Sequence, residues 1–241
     1  MPAMRYAAWL ALFSAVALAA PGTAQEADPE PAAPAAERPD PETTGVVTGT
    51  VEFPAAQPRR RRARVRYPGQ APGSKSGAAE ARVPGVVYLQ DVTGPAVTDR
   101  KAVMNQEGIA FDPPVLAVRL GTTVSFPNLD PVYHNVLSYS TPKRFDLGRY
   151  PKGEERSVTF DQPGVVRLAC EIHAQMRGYV VVLEQPHFTL TDGQGRFRLE
   201  GCPPGEHRVA LWHDDCAAEP VAVRVEAGIT ATVKLVASAA D

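Results

Sequence analysis

The feature that most constrains this chain is a cluster of sulfur and nitrogen side chains with metal-ligand spacing. Cys170, His173 and Met176 lie within seven residues, and His134 stands upstream in a separate segment. Thiolate and thioether stabilise Cu(I), imidazole suits both copper oxidation states, and a weak axial sulfur keeps a copper site trigonal. The four side chains therefore predict a mononuclear copper centre of the electron-transfer kind.

The sequence around these residues predicts that they occupy loops at one end of a β-barrel. The run 164–169 alternates enough to be a strand, and the run 178–183 is a second strand. The segment between them is then a tight strand-to-strand turn. The run 115–126 indicates a strand, a turn and another strand, followed by a loop that ends at His134.

Ordinary structural roles are the alternative for each of these side chains. Met176 could be a core methionine and Cys170 a buried free thiol, as both residue types often are. Their shared spacing and strand context favour a metal site. His187, His207 and His213 have no partner ligands at metal spacing, so we interpret them as solvated or structural histidines.

With these residues in view, the segment 101–184 resembles the cupredoxins, the plastocyanin and amicyanin family of blue copper proteins. The family pattern is matched from Gly121-x-Thr-Val through His134-Asn-Val to Cys170-x2-His173-x2-Met176. The short ligand loop is more similar to that of amicyanin than to that of plastocyanin. The resemblance implies a Greek-key β-barrel and a type 1 copper site, with the ligands His134, Cys170, His173 and a weak axial Met176. It also implies a partly exposed His173 through which the electron passes.

Two positions depart from the family pattern. Glu171 stands where many relatives carry Ser or Thr, which leaves the usual bridge to Asn135 without its customary partner. Ile172 stands where relatives of the plastocyanin and amicyanin type carry Pro, so its backbone N–H is available to the Cys170 sulfur. An added donor to the thiolate should favour Cu(I).

The N-terminal residues predict export. Residues 1–24 carry Arg5, a short apolar run and small residues at the expected cleavage point, as a secretory signal peptide does. The apolar run is too short for a comfortable membrane span, and no later run is long enough. We therefore expect a soluble periplasmic or secreted protein without a membrane span.

Two low-complexity segments follow the predicted signal peptide. Residues 25–44 are rich in Pro, Ala and acidic residues and predict a disordered linker. Residues 54–80 predict an Arg-rich flexible loop, which is either a solvated surface or a docking patch for an acidic partner or a membrane surface. A nucleic-acid partner is not expected, because the chain is exported and its formal net charge is only −2.

The remaining segments predict a second β domain. The pattern Thr191-Asp-x2-Gly-x-Phe197 with Cys202-Pro-Pro-Gly205 resembles the carboxypeptidase regulatory-like domain, a transthyretin-like β-sandwich. That family begins with a Val-x-Gly-x-Val strand, which residues 47–51 match. We therefore expect an all-β chain in which the cupredoxin, 101–184, is inserted into a discontinuous sandwich of 45–100 and 185–239.

Three cysteines in an exported chain leave two interpretations open. Either one disulfide accompanies the copper thiolate, or all three are isolated thiols. Cys202 and Cys216 bracket a predicted strand whose extended length, roughly 26 Å, opposes their pairing.

The function expected from these observations is one-electron transfer between redox protein partners, without catalytic turnover. The alternatives are a periplasmic protein that buffers or delivers copper, and a surface-binding or carbohydrate-binding module whose copper is structural. A buried thiolate site favours the carrier, because delivery proteins present exposed, exchangeable ligands.

Overall fold

The computed structural model describes residues 43–54 and 83–240, and this part of the chain is all-β, without helices. The expected all-β fold is therefore confirmed. The predicted signal peptide, most of the predicted linker and all but the first residue of the predicted Arg-rich loop lie outside the described residues. None of the described residues forms a helix long and apolar enough to cross a membrane.

The described strands fall into an early pair, a central group and a late group. The early pair is β1 (Gly45–Glu52) and β2 (Val86–Leu89). The central group is β3 (Lys101–Val103), β4 (Asn105–Gln106), β5 (Phe111–Asp112), β6 (Val115–Arg119), β7 (Thr123–Pro127), β8 (His134–Ser140), β9 (Lys143–Tyr150), β10 (Glu155–Thr159), β11 (Gly164–Ala169) and β12 (Arg177–Leu183). The late group is β13 (Phe188–Leu190), β14 (Arg196–Cys202), β15 (Gly205–Trp212), β16 (Cys216–Ala218), β17 (Val221–Val225) and β18 (Thr230–Ala239).

The central strands form two sheets around an apolar core. One sheet has the order β10-β7-β3 and the other the order β6-β12-β11-β8-β9, while β4 and β5 make a separate hairpin. Alternate residues point inward, so that Val124, Phe126, Val166 and Leu168 are buried in one cluster. His134 begins β8 and Cys170 follows β11, two neighbouring strands of the larger sheet. The fold thus brings the ends of these strands together.

The early and late strands share two further sheets. β1 lies between β14 and β18, and β2 lies between β13 and β15. Val47 of β1 and Leu89 of β2 are buried with Leu199, Val209 and Leu235 of the late strands in one core. Segments that lie before and after the central group in the sequence therefore share the same two sheets.

A third apolar cluster joins the central strands to the flanking sheets. Val180 and Val182 of β12 point into the central core. Val181 and Leu183, on the opposite face of the same strand, pack in a cluster with Val86 of β2. The uninterrupted apolar sequence of β12 reflects this burial on both faces. We call this third cluster the interdomain core; its other members are Val83, Tyr88, Val115, Ala117, Tyr179, Phe188 and Trp212.

The chain enters and leaves the central group at adjacent points. The N–H of Gly94 donates to the carbonyl of Glu184 at 2.9 Å, and the N–H of Leu89 donates to the carbonyl of His187 at 3.1 Å. Closely spaced ends are what allow one domain to be carried as an insertion in another.

All three cysteines are buried, and none of them forms a disulfide. Cys202 lies opposite Gly45 at one end of its sheet, whereas Cys216 lies opposite Ala239 at the other end of β18. The register from Thr230 to Ala239 separates the two ends by roughly 30 Å at strand spacing. The disulfide left open by the sequence does not form.

We expect thiol titration to reflect this arrangement. Burial raises the pKa of the Cys202 thiol to about 11, so about a thousandth of it is thiolate at pH 8. Alkylation of the folded metal-free protein, followed by mass spectrometry, should leave Cys202 unmodified. Unfolding without a reductant should expose three reactive thiols, and a count of one would show that Cys202 and Cys216 pair.

Candidate metal centre

Three side chains from two loops meet at one end of the central sheets. The Nδ1 atoms of His134 and His173 are 3.0 Å apart, and the Cys170 Sγ lies 3.7 Å from the His173 Nδ1. One ligand atom from each of the three residues lies within 4.8 Å of the others, and all three side chains are buried. A thiol and two imidazole nitrogens that face one another form a donor set suited to copper.

Met176 closes the turn that carries two of these donors. Its N–H donates to the His173 carbonyl at 2.9 Å, and the Cys170 N–H donates to the Met176 carbonyl at 3.3 Å. The Met176 side chain is fully buried in the same apolar cluster as Cys170. The turn therefore holds the Met176 side chain in the same buried cluster as the thiol.

A hydrogen bond braces the ligand loop against β8. The Asn135 Oδ1 accepts from the backbone N–H of Glu171 at 2.7 Å. The sequence suggested that the Asn135 bridge lacks its usual partner, because Glu171 replaces Ser or Thr. The structure corrects this expectation, since the peptide group at position 171 supplies the donor and no hydroxyl is needed.

Sequence reasoning missed a carboxylate behind the first histidine. The Asp130 Oδ2 lies 2.8 Å from the His134 Nε2. An acidic residue four positions before a predicted ligand was the available signal. Its significance depends on the loop conformation, which the spacing does not give.

The electrostatics of the pocket follow from burial and hydrogen bonding. Burial raises the pKa of the Cys170 thiol, but hydrogen bonds outweigh this effect and bring the pKa below its ordinary value. Burial lowers the pKa of His134, but its bonds with Cys170 and Asp130 bring it above the ordinary value. For His173, burial and the neighbouring His134 both lower the pKa. The pocket thus favours a thiolate and a neutral His173, the forms that bind metal.

Among the donors that lower the pKa of Cys170 is the backbone N–H of Ile172. We expect Ile172→Pro to lower the reduction potential of the copper form, because proline removes this donor and with it a bond that stabilises the electron-rich thiolate of Cu(I). The effect should be of the order of one charge-assisted hydrogen bond, about 1–3 kcal/mol before relaxation. Voltammetry of the parent and the variant measures the change in reduction potential. Ile172→Val keeps the amide and is the control; an equal decrease in that variant would assign the effect to side-chain packing.

The other histidines lie apart from this group. The two ring nitrogens of His207 lie 3.0 Å from the Asp91 carboxylate and 2.8 Å from the Pro203 carbonyl, and the His213 Nε2 lies 2.9 Å from the Val83 carbonyl. In the described residues, His134, Cys170 and His173 form the one group of histidine, cysteine or acidic side chains with metal-binding geometry.

The exposure of His173 differs from the expectation. The resemblance implied a partly exposed ring, but only 5% of the residue is accessible. The apolar residues that reach solvent near the site lie instead in the loop before His134, where Leu129, Val132 and Tyr133 are 40–57% exposed.

Comparison with known proteins agrees with this geometry for the central segment. Residues 98–183 match the family model described as copper binding proteins of the plastocyanin/azurin family. The match covers about a third of the chain and supports the cupredoxin resemblance of that segment, with copper as its metal. No curated protein matches the chain.

Several solved structures are also similar to part of the chain. A reduced mutant of amicyanin is 26% identical over 40% of this chain and 98% of its own, with a TM-score of 0.33. A purple cupredoxin from Nitrosopumilus maritimus is 25% identical over 35% of this chain and 100% of its own, with a TM-score of 0.31. A copper-containing nitrite reductase from Thermus scotoductus SA-01 is 28% identical over 40% of this chain but only 25% of its own, with a TM-score of 0.34.

Proposed function

We propose that this protein is an exported type 1 copper protein that carries single electrons between redox partners. Its ligands are His134, Cys170, His173 and the weak axial Met176. The observation that carries the proposal is the convergence of the Cys170 thiol and two imidazole nitrogens within 4.8 Å in a buried pocket. Bound copper would supply one-electron chemistry with little change in geometry between its two oxidation states.

The chain holds these donors by contacts that do not involve a metal. Asn135 braces the peptide group after Cys170, the turn at Met176 closes on Cys170 and His173, and the Asp130 carboxylate holds His134. Donors fixed in this way need little rearrangement when the charge of a bound ion changes by one. This rigidity favours electron transfer.

Copper buffering or delivery, the first alternative, requires ligands that exchange readily. All three described donors are at most 5% exposed, which opposes fast release of a bound ion. A carrier without catalytic turnover fits this burial better. The same enclosure also gives no support to an open coordination position for a substrate.

We further propose that 45–100 and 185–239 form a regulatory-like, transthyretin-like sandwich that carries the cupredoxin as an insertion. The pairing of β1 with β14 and β18, and of β2 with β13 and β15, supports this division. The predicted signal peptide, residues 1–24, supports placement in the periplasm or outside the cell.

The test of the proposal is spectroscopy of the copper-loaded protein without its signal peptide. A strong visible thiolate-to-copper charge-transfer band with a narrow copper hyperfine splitting in electron spin resonance is the expected result. Rapid reversible reduction together with slow metal exchange would separate a carrier from a delivery protein. A copper complex without the charge-transfer band would refute the assignment.

For Met176→Leu we expect retained copper and a raised reduction potential. Leucine fills a similar volume but removes the weak axial sulfur, whose loss disfavours Cu(II). Voltammetry gives the potential, and metal analysis gives the copper content. A variant unable to hold copper would show that Met176 is more than an axial ligand.

A further inference from the structure

The Asp130 carboxylate lies between the first histidine of the site and a hairpin tip. The Asp130 Oδ2 lies 2.8 Å from the His134 Nε2 and accepts from the Ile109 N–H at 2.8 Å. The Oδ1 accepts from the Gly108 N–H, also at 2.8 Å. The side chain is only 11% exposed, so these bonds are largely shielded from water.

The hairpin tip adopts an unusual backbone conformation at the two residues that bind Asp130. Gly108 and Ile109 have φ values of 66° and 60°, and the Glu107 N–H donates to the Ala110 carbonyl at 3.0 Å. Two successive positive φ values are those of a type I′ turn. Glycine adopts them freely, whereas a β-branched residue such as Ile109 does so only against strain. Both amides point toward one carboxylate, an arrangement that binds anions.

A second set of bonds fixes the backbone of Asp130 itself. Its N–H donates to the Asn128 Oδ1 at 3.0 Å. The Asn128 Nδ2 donates to the carbonyls of Val132 and Tyr150 at 2.8 and 3.1 Å. Asn128 is completely buried. The backbone of Asp130 is therefore held in place, and rotation of the carboxylate away from His134 would break its bonds to the two hairpin amides.

The position of the carboxylate determines which nitrogen of His134 faces the donor pocket as a ligand. A carboxylate accepts hydrogen bonds, so the His134 Nε2 carries the proton and the Nδ1 presents its lone pair toward Cys170 and His173. A histidine that donates to a carboxylate is also a more basic ligand. The more basic nitrogen stabilises Cu(II) more than Cu(I), because the higher charge gains more from the added electron density.

From this arrangement we infer that Asp130, held by the β4–β5 hairpin, is a positioning residue that lowers the reduction potential of the copper site through His134. The inference rests on the proposed function, because it takes His134 as a copper ligand. The two hairpin amides keep the carboxylate aimed at the ring.

The test compares Asp130→Asn with the parent protein, both copper-loaded. The amide has almost the shape of the carboxylate but lacks its charge, so the affinity for Cu(II) should fall by about 10–100-fold. With Cu(I) affinity unchanged, the potential should rise by about 60–120 mV, since a tenfold change corresponds to about 59 mV for one electron. Competition with a chelator of known affinity measures the first quantity, and voltammetry the second.

Two further variants separate this effect from a structural one. Asp130→Ser is also neutral but smaller, and it should raise the potential in the same direction. Ile109→Gly keeps the amide and relieves the positive-φ strain, so it should leave the potential at its parent value even if it changes the stability of the metal-free protein. An Asp130→Ser protein with the parent potential would overturn the inference, because loss of the carboxylate would then have no effect through His134.

The outcomes distinguish this inference from the proposed function. A parent protein with the charge-transfer band, together with unchanged potentials in both neutral variants, would overturn the role of Asp130 and leave the copper assignment standing. A parent protein without the charge-transfer band would overturn both.

Discussion

Replacing Cys170 by serine is expected to abolish the intense visible absorption of the copper-loaded protein. The thiolate is the proposed source of the charge transfer, and a serine hydroxyl has a far higher pKa and no comparable affinity for copper. Absorption and electron spin resonance of the variant after copper loading measure the loss. Any copper that remains bound should have the weak colour and wide hyperfine splitting of a site without sulfur.

The matched control is Cys202→Ser, which removes a buried thiol from the core shared by the early and late strands. This variant should keep the full charge-transfer band, although its stability should fall by about 1–3 kcal/mol because a hydroxyl is buried in an apolar setting. Strong colour in Cys170→Ser would contradict the site assignment. So would loss of colour in a folded Cys202→Ser protein.

Val181→Asp is expected to destabilise the central and flanking sheets together. Val181 is 3% exposed and packs in the interdomain core, so an aspartate there places a charge among buried hydrophobic side chains. We expect a loss of about 3–5 kcal/mol, the usual cost of an uncompensated buried charge. The visible absorption of bound copper measures the unfolding of the central sheets. The fluorescence of Trp212, a residue of β15 in the same cluster, measures the unfolding of the flanking sheets.

Coincident midpoints by these two probes in denaturant would indicate one cooperative transition. The control is Val103→Asp, the same substitution at a residue that is 52% exposed on β3. Its effect should stay within about 0.5 kcal/mol. If Val181→Asp lowered only one of the two midpoints, the interdomain core would not couple the two parts.

The interdomain core also affects the expected result of deleting the central segment. Deleting 101–184 and joining the flanks with a short linker should leave a folded β protein if the insertion model holds. That protein would expose the face of β2 and β15 that now covers β12. We therefore expect it to be less stable and more prone to aggregate than the full chain.

How far the sequence predicts the fold depends on the kind of signal. The run before Cys170 and the run after Met176 became β11 and β12, because alternation and uninterrupted apolarity are local properties. The alternation of Phe145 and Leu147 in β9 is an equally local signal, although no strand was predicted there. The partner of each strand was harder to predict, since β1 pairs in parallel with β18, which lies almost at the other end of the chain.

In the candidate site, too, local features were predicted and long-range contacts were not. Residue types and spacing brought out His134, Cys170 and His173, and the structure places them together. The position of Asp130 against the hairpin could not be predicted, because it depends on positive φ values at Gly108 and Ile109 and on a loop fixed by distant contacts. The prediction that His173 is partly exposed was wrong for a similar reason, because the burial of its ring depends on the residues that surround the ligand loop.

The backbone brace at Glu171 frees one side chain of the ligand loop for variation. Every residue except proline carries the peptide N–H that binds Asn135, so position 171 can change without loosening the metal loop. Here its side chain points outward to form a largely exposed ion pair with Arg149, which adds little stability. The charge displayed at this exposed position can therefore be reversed or removed while the bond that braces the ligand loop is kept.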